Sequence, residues 1–201
     1  MSYDEKSSPT QTVAPPVGVK QVSWPMIRTQ KDLAEIAEKF RNGSPVYALQ
    51  GKKIGEILNA LGAIDDKTLH AVEQHHATLK IKTKLIGQLL IQMKLIEEEV
   101  LTRGLCIQNG VPMVDLMAIH IPHDVLDRIP NKKVLKKKAV PVGVFNKTLY
   151  LAVGDPVTFD GQNDFAFTTK LKIHPVYSPA YAIDTFLSTK WAGAGADFWA
   201  G

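Results

Sequence analysis

Several groups of side chains are of types that do chemistry, and their spacing tests each one. His70, His75 and His76 fall in one stretch of predicted helix, and imidazoles hold a metal when they converge on one face. The i, i+5, i+6 spacing spreads them around the helix. His120 and His123 lie beside Pro122 without a carboxylate set. No metal site is predicted. Asp65-Asp66 and Glu97-Glu98-Glu99 are adjacent carboxylates of the kind used in general acid–base catalysis. Both sit where a helix begins, and acids there answer the positive end of the helix dipole. Cys106 falls on an apolar helix face and reads as a packed thiol, not a nucleophile. The one concentrated basic run, Asn131-Lys132-Lys133-Val134-Leu135-Lys136-Lys137-Lys138, contains no aromatic residue to stack on bases. It is read as a solvated helix face with Val134 and Leu135 turned inward, and nucleic acid is not expected as a partner.

Phosphate and nucleophile motifs are missing as well. There is no Gly-x4-Gly-Lys-Ser/Thr loop, no Gly-x-Gly-x-x-Gly after a strand and no Gly-x-Ser-x-Gly elbow. The chain is expected not to be an enzyme, and a small soluble enzyme ranks a distant third among its readings. The 201 residues carry 24 Lys+Arg against 20 Asp+Glu, a formal charge of +4, with 45% hydrophobic and 22% charged residues. That is ordinary for a globular protein of one or two domains. A single cysteine excludes a disulfide framework and a cysteine-rich zinc site. No apolar run reaches the ~18–20 residues that cross a bilayer, and Met1–Lys6 lacks an apolar signal core. A cytoplasmic chain that does not span the membrane is expected.

The elements that would position these groups follow from periodicity. Residues 1–28 read as a disordered tail, polar and proline-rich, interrupted by Val22, Trp24, Pro25 and Met26. Residues 29–48 read as a helix and linker: Thr29-Gln30-Lys31-Asp32 resembles a capping box, and Leu33, Ile36, Ala37 and Phe40 share one face. Residues 49–110 hold a duplication. Ile54-Gly55, Leu58, Ile64, Asp65-Asp66 and Leu69 recur, at one constant offset, as Ile86-Gly87, Leu90, Ile96, Glu97-Glu98 and Leu101. Each copy predicts a short helix, a tight corner and a second helix, and two such hairpins can bury their aliphatic stripes against each other.

Residues 111–190 change pattern. Val111–Leu116 is predicted extended, Asp124–Ile129 a helical turn or two, and Asn131–Lys138 a helix. Ala139–Val144 and Thr148–Val153 are strand-like and joined at Phe145-Asn146-Lys147. A turn at Asp155-Pro156, a helix from there to about Phe167, a strand at Leu171–Tyr177 and a last helix at Pro179–Lys190 follow. The fold class is therefore α+β: an N-terminal tandem helical-hairpin repeat packed on a small α/β sandwich. Residues 191–201 read as a flexible tail ending in Phe198-Trp199.

Each copy of the repeat resembles the signature Arg-Leu-Gly-x-x-Leu-x-x-x-Gly-x-Ile-x-x-x-x-Leu-x-x-Ala-Leu-x-x-Gln of the MshEN domain, found at the front of type II secretion and type IV pilus assembly ATPases. Gly110–Leu116 and Ala152-Val153-Gly154-Asp155-Pro156 resemble the remainder of that domain, so the likeness covers about residues 50–190. Members of the family bind cyclic di-GMP through the two copies. The resemblance implies a contact set of Lys53, Ile54, Gly55, Leu58, Gly62, Leu69, Val72 and His76 in copy one. In copy two it implies Leu85, Ile86, Gly87, Leu90, Leu101, Leu105 and Gln108, with Asp155 placed to pair with Lys53 or a guanine edge.

The chain also departs from the pattern. Lys53 and Leu85 stand where arginine is usual, so the bidentate fork is lost at both starts. Lys94 replaces the second glycine of copy two, Gly104 an alanine, His76 the closing glutamine of copy one, and Val72-Glu73 its Ala-Leu. The spacer between copies is longer than usual. Two readings remain open. One is a stand-alone cyclic di-GMP receptor acting on a protein partner in a secretion, pilus or exopolysaccharide system, with no other cofactor. The other is a ligand-free docking adaptor that kept the fold and lost the pocket, with contacts through the N-terminal segment, the helix at 30–41 or Phe198-Trp199.

Overall fold

The computed structural model describes residues 24–78, 85–156 and 158–191. The tail expectations for residues 1–23 and 192–201, Phe198-Trp199 included, lie outside the described residues, as does the spacer 79–84.

The repeat folds as two helical hairpins. Copy one forms α2 (Ile54–Ala60) and α3 (Asp66–Thr78), and copy two forms α4 (Ile86–Gln92) and α5 (Glu98–Asn109). Here α1 denotes the preceding helix, Gln30–Arg41. The hairpins interlock: α2 packs on α5, α3 on α4, and α2 on α4. Leu58, Ile64 and Val72 from copy one and Leu89, Leu90 and Ile96 from copy two close into one apolar cluster. A seven-residue helix is too short to be stable alone, so α2 and α4 exist because this cluster holds them.

Each corner needs one left-handed residue. Gly62 supplies it in copy one at φ +77°, where the absence of Cβ makes it cheap. Copy two places Lys94 at the matching position with φ +56°. The two corners share their geometry but not the residue best suited to it. That conformation costs an L-residue with a side chain roughly 1–2 kcal/mol.

The second half is a five-stranded sheet among the described residues. Its strands are β1 (Met26–Ile27), β2 (Met113–Val114), β3 (Val140–Phe145), β4 (Thr148–Val153) and β5 (Lys172–Tyr177), in the order β1-β2-β5-β4-β3. The first four in that order run parallel, and β3 closes the edge antiparallel to β4. Asn146 and Lys147, both at positive φ, make the tight β3–β4 turn, whose twist suits a hairpin. Helices α6 (His123–Leu126), α7 (Asn131–Lys137), α8 (Gln162–Thr169) and α9 (Ala180–Phe186) complete the α/β half, and a π-helical turn, Leu187–Trp191, follows α9. Its core centres on fully buried Phe165, Leu149, Leu151 and Ile183. The α+β class and the order of elements agree with the expectation.

Three local differences have physical causes. Met26–Ile27, expected within a tail, pair in parallel with Met113–Val114 and form the edge of the sheet. Helix α1 then returns Leu33 and Ala37 to the core of the α/β half, so residues 26–41 belong to that half although the repeat separates them from it in sequence. The expected capping box is present, with Asp32 N–H donating to Thr29 Oγ1 at 3.1 Å and Thr29 N–H to Asp32 Oδ2 at 2.9 Å. Gln30 Nε2 donates to the carbonyls of His120 (2.9 Å) and Val142 (2.8 Å). Gly143 admits this approach, since a Cβ there would lie 2.5 Å from a Leu33 methyl. The second difference is Leu135, which was expected to turn inward but is 51% exposed. Val134 alone anchors α7, because a two-turn helix offers its neighbours a single buried row. Third, the turn expected at Asp155-Pro156 is present, with Asp155 accepting the Thr158 N–H at 3.1 Å, but the helix expected to follow it begins only at Gln162.

The two halves meet through Ile57 of α2 and Cys106 and Ile107 of α5, packed with Met113 of β2 and Tyr177 of β5. Tyr47 stitches the seam: its hydroxyl donates to the Val111 carbonyl and accepts the Met113 N–H, both at 3.1 Å. On the sheet, His174 of β5 lies 4.1 Å from the Phe40 ring and 5.5 Å from the Tyr150 ring. Burial, with a smaller contribution from Lys172, lowers its pKa from 6.5 to about 4.

Two predictions follow from this packing. The unfolded chain binds a proton at His174 that the folded chain refuses, so stability is full above the unfolded pKa of 6.5 and declines as pH falls toward 4. Denaturant titrations at about pH 7.5 and about pH 4.5 will show a smaller acid loss in His174→Phe than in the parent; an equal loss would refute this. Lys94→Gly will raise the unfolding free energy by about 0.5–1 kcal/mol, read as a higher urea midpoint at constant m-value, whereas Gly62→Lys will lower both.

Candidate functional site

The residues of the duplicated motif converge, and most of them are occupied in holding the hairpins together. A Cβ on Gly55 would sit 2.6 Å from Leu69 Cδ1, and one on Gly87 2.6 Å from Leu101 Cδ1. The same glycine–leucine contact closes both hairpins. Leu58 and Leu90 are fully buried and Val72 nearly so, with Ile54, Ile86, Leu69 and Leu101 packed around them. Gly104 stands where copy one has Val72, and a Cβ there would meet Ile54 Cδ1 at 2.8 Å. These positions share one interior.

The polar and outward positions are fewer. Lys53 and Leu85 occupy equivalent places, immediately before α2 and α4, in extended conformation and without a side-chain cap. Lys53 is exposed and Leu85 is 70% exposed. Gln108, which closes copy two, donates its side-chain Nε2 to the Lys52 carbonyl at 2.9 Å, while its main-chain carbonyl accepts the Gly51 N–H at 2.9 Å. The end of copy two is thereby tied to the start of copy one. His76 and Leu105 are half-buried on the second helices. Asp155 stands apart, at the end of β4. It accepts hydrogen bonds from Thr158 and lines a recess of about 250 Å³ with Lys137 and Lys138. It is still within electrostatic reach of Cys106, whose thiol is pushed up to about 12 by burial first and Asp155 second.

The residue types that could do chemistry elsewhere are engaged structurally. Asp65 accepts the Thr68 N–H at 2.7 Å, and the Thr68 hydroxyl and amide hold its carboxyl below the usual range. Glu99 pairs with Arg103 one turn on. His70 hydrogen-bonds Gln74 at 2.9 Å. Among the described residues no group of three or more His, Cys, Asp or Glu side chains could hold a metal ion. Three lysines of the run form ion pairs: Lys133 to Asp164 of α8 at 2.7 Å, Lys137 to Asp160 in the turn before α8 at 2.9 Å, and Lys138, just past α7, to Asp184 of α9 at 2.8 Å. No described helix is long and apolar enough to cross a membrane.

Arg103 and Ser178 were not foreseen. Arg103 reaches the seam between the halves, pairing with Glu99 while its guanidinium lies 5.6 Å from the Trp24 ring centroid. The Glu-x-x-x-Arg spacing from Glu99 to Arg103 was the available signal. Ser178 follows β5, is fully buried, and its hydroxyl has no hydrogen-bond partner; nothing in its local sequence marks it.

Comparison with known proteins places these features in a family context. The chain is 27% identical over 143 residues to the type IV pilus assembly ATPase PilB of Myxococcus xanthus (strain DK1622). That match covers 71% of this chain and 25% of the relative, so the chain spans about a quarter of its length. Among solved structures, MshE with cdg aligns at 20% identity and TM-score 0.47, covering 68% of this chain and 97% of that one. The N-terminal domain of XpsE aligns at 20% identity and TM-score 0.40, covering 67% and 92%. Over residues 109–189, from the end of α5 through the α/β half, the chain matches the MshEN domain family.

Proposed function

We propose that the chain is a non-enzymatic regulatory module that binds cyclic di-GMP across the two hairpins and passes the signal to a protein partner in a secretion, pilus or exopolysaccharide system. The observation that carries this reading is the pairing of the two copies. Duplicated helix starts at Lys53 and Leu85, each followed by a buried glycine, stand on hairpins that share one apolar cluster. A ligand built from two like halves suits a surface built from two like motifs. Lys53 would supply charge to a phosphate, His76 would stack on or hydrogen-bond a base, and the aliphatic residues Ile54 and Ile86 would lie under purine faces. The likeness to the pilus assembly ATPase supports the setting.

A second reading, a docking adaptor without ligand, rests on specific contacts. The glycines are explained by Leu69 and Leu101, and the Gln108 amide already serves the Lys52 carbonyl. Neither start carries a guanidinium. These contacts also decide which variants are informative. Asp at Gly87 would collide with Leu101 and test folding, whereas exposed Lys53 and Leu85 can be changed without entering the core.

Calorimetric titration of the full chain with cyclic di-GMP is expected to show micromolar binding, weakened about tenfold or more by Lys53→Glu, a loss of at least ~1.4 kcal/mol, with an unchanged melting temperature in the absence of ligand. No heat at millimolar ligand would favour the adaptor. Leu85→Arg restores a guanidinium at the second start and is expected to tighten binding several-fold; an unchanged affinity would mean that this start does not face the ligand.

A further inference from the structure

The lysine run of α7 lies against α8. Lys133 donates to Asp164 Oδ1 at 2.7 Å and to Thr168 Oγ1 at 2.6 Å, and Lys137 pairs with Asp160 at 2.9 Å. These contacts advance along one stretch as they retreat along the other, so the two segments lie side by side and antiparallel. Each helix has one fully buried anchor, Val134 in α7 and Phe165 in α8. At about 3.6 residues per turn, a side chain two positions from its anchor points away from the core. Lys132 and Lys136 stand two positions either side of Val134, and Phe167 stands two beyond Phe165. One outward surface therefore carries Lys132, Lys136 and Phe167, with Lys170 at the end of α8.

This surface combines an apolar ring with cations that lack counter-charges. Phe167 is 77% exposed, and Leu135, on the flank of α7 turned from α8, is 51% exposed. Lys132, Lys136 and Lys170 are exposed and form no ion pair among the described residues. With the paired groups included, five lysines face only two acids, Asp160 and Asp164. The lysine run contains no aromatic residue of its own, yet tertiary packing sets Phe167 beside it. A nucleic-acid base would need a face of that ring, and the Lys170 ammonium already lies over the ring, 4.4 Å from its centroid. Lys133 closes the seam between the helices, so no groove is left there for an extended peptide. A lipid bilayer needs neither. It takes up an aromatic ring at the headgroup level, and lysine stems lie along the apolar layer while their ammonium groups stay with the headgroups. The positive excess requires that the headgroups be anionic. We propose that the outer face of α7 and α8 docks on an anionic membrane surface, with Phe167 entering the interface and Lys132, Lys136 and Lys170 meeting lipid phosphates and carboxylates. This face belongs to the α/β half, and its binding does not depend on a ligand at the hairpins.

The test is co-sedimentation of the full chain, without cyclic di-GMP, with phosphatidylcholine vesicles that either lack phosphatidylserine or contain about one-third of it. Binding is expected to the anionic vesicles only, and to fall at least about tenfold between about 0.1 M and about 0.5 M salt. Lys136→Glu should weaken it several-fold, whereas Lys67→Glu, the same charge change on α3, should have little effect. Phe167→Ser should weaken it several-fold at every salt concentration and leave the melting temperature unchanged, because the ring is exposed. Equal binding to neutral vesicles, no binding to either kind, an equal loss in Lys67→Glu, or full binding in Phe167→Ser would overturn the proposal. So would binding of a single-stranded oligonucleotide that Phe167→Ser abolishes, which would assign the face to nucleic acid.

Discussion

The tertiary structure of the first half depends on one repeated contact, a leucine methyl seated against a glycine Cα. Leu69 fills the space over Gly55 and Leu101 fills it over Gly87. A side chain at either glycine would push the hairpin's two helices apart, and neither seven-residue helix survives without its neighbour. Tight hairpins leave Leu58 and Leu90 fully buried at the shared cluster. They also place Ile57, Cys106 and Ile107 on the side that meets the sheet. The contact therefore governs both the coupling between copies and the coupling of the repeat to the α/β half.

That constraint bears on function as well. A glycine that leaves room for a ligand and a glycine that leaves room for a leucine look alike in sequence. Here the leucine is in place, so the polar residues around the copies must carry any recognition. They are unequal: a cation at Lys53, an apolar side chain at Leu85, and a glutamine already tied to the Lys52 backbone. The surface is duplicated in backbone and divergent in chemistry. Lys94 shows the same divergence at a corner, where it makes the left-handed turn with a residue that tolerates it less well than Gly62 does.

The α/β half is organised by long-range pairing. The segment 26–41 lies ahead of the repeat in sequence, yet it adds an edge strand and a covering helix to the sheet behind it. The repeat is thus bracketed by one structural unit, and motion of α5 relative to β2 or β5 would be felt at Met26, Tyr47 and Arg103 together. Lys133 and Lys137 of α7 and Lys138 at its end brace the same unit from the other side by pairing with Asp164, Asp160 and Asp184.

What the sequence alone determined was everything carried by short-range periodicity and local chemistry. The hairpin repeat, the Thr29–Asp32 cap, the acids at helix starts, the turn at Asn146-Lys147 and the buried thiol of Cys106 all rest on residues within a few positions of one another. The edge strand at Met26–Ile27, the outward face of Leu135, the partners of Lys133, Lys137 and Lys138, and the juxtaposition of Arg103 with Trp24 were decided only in three dimensions. Each depends on groups brought together from distant parts of the chain, and no local pattern records which hydrogen-bond donor, carboxylate or apolar wall will arrive opposite a given side chain.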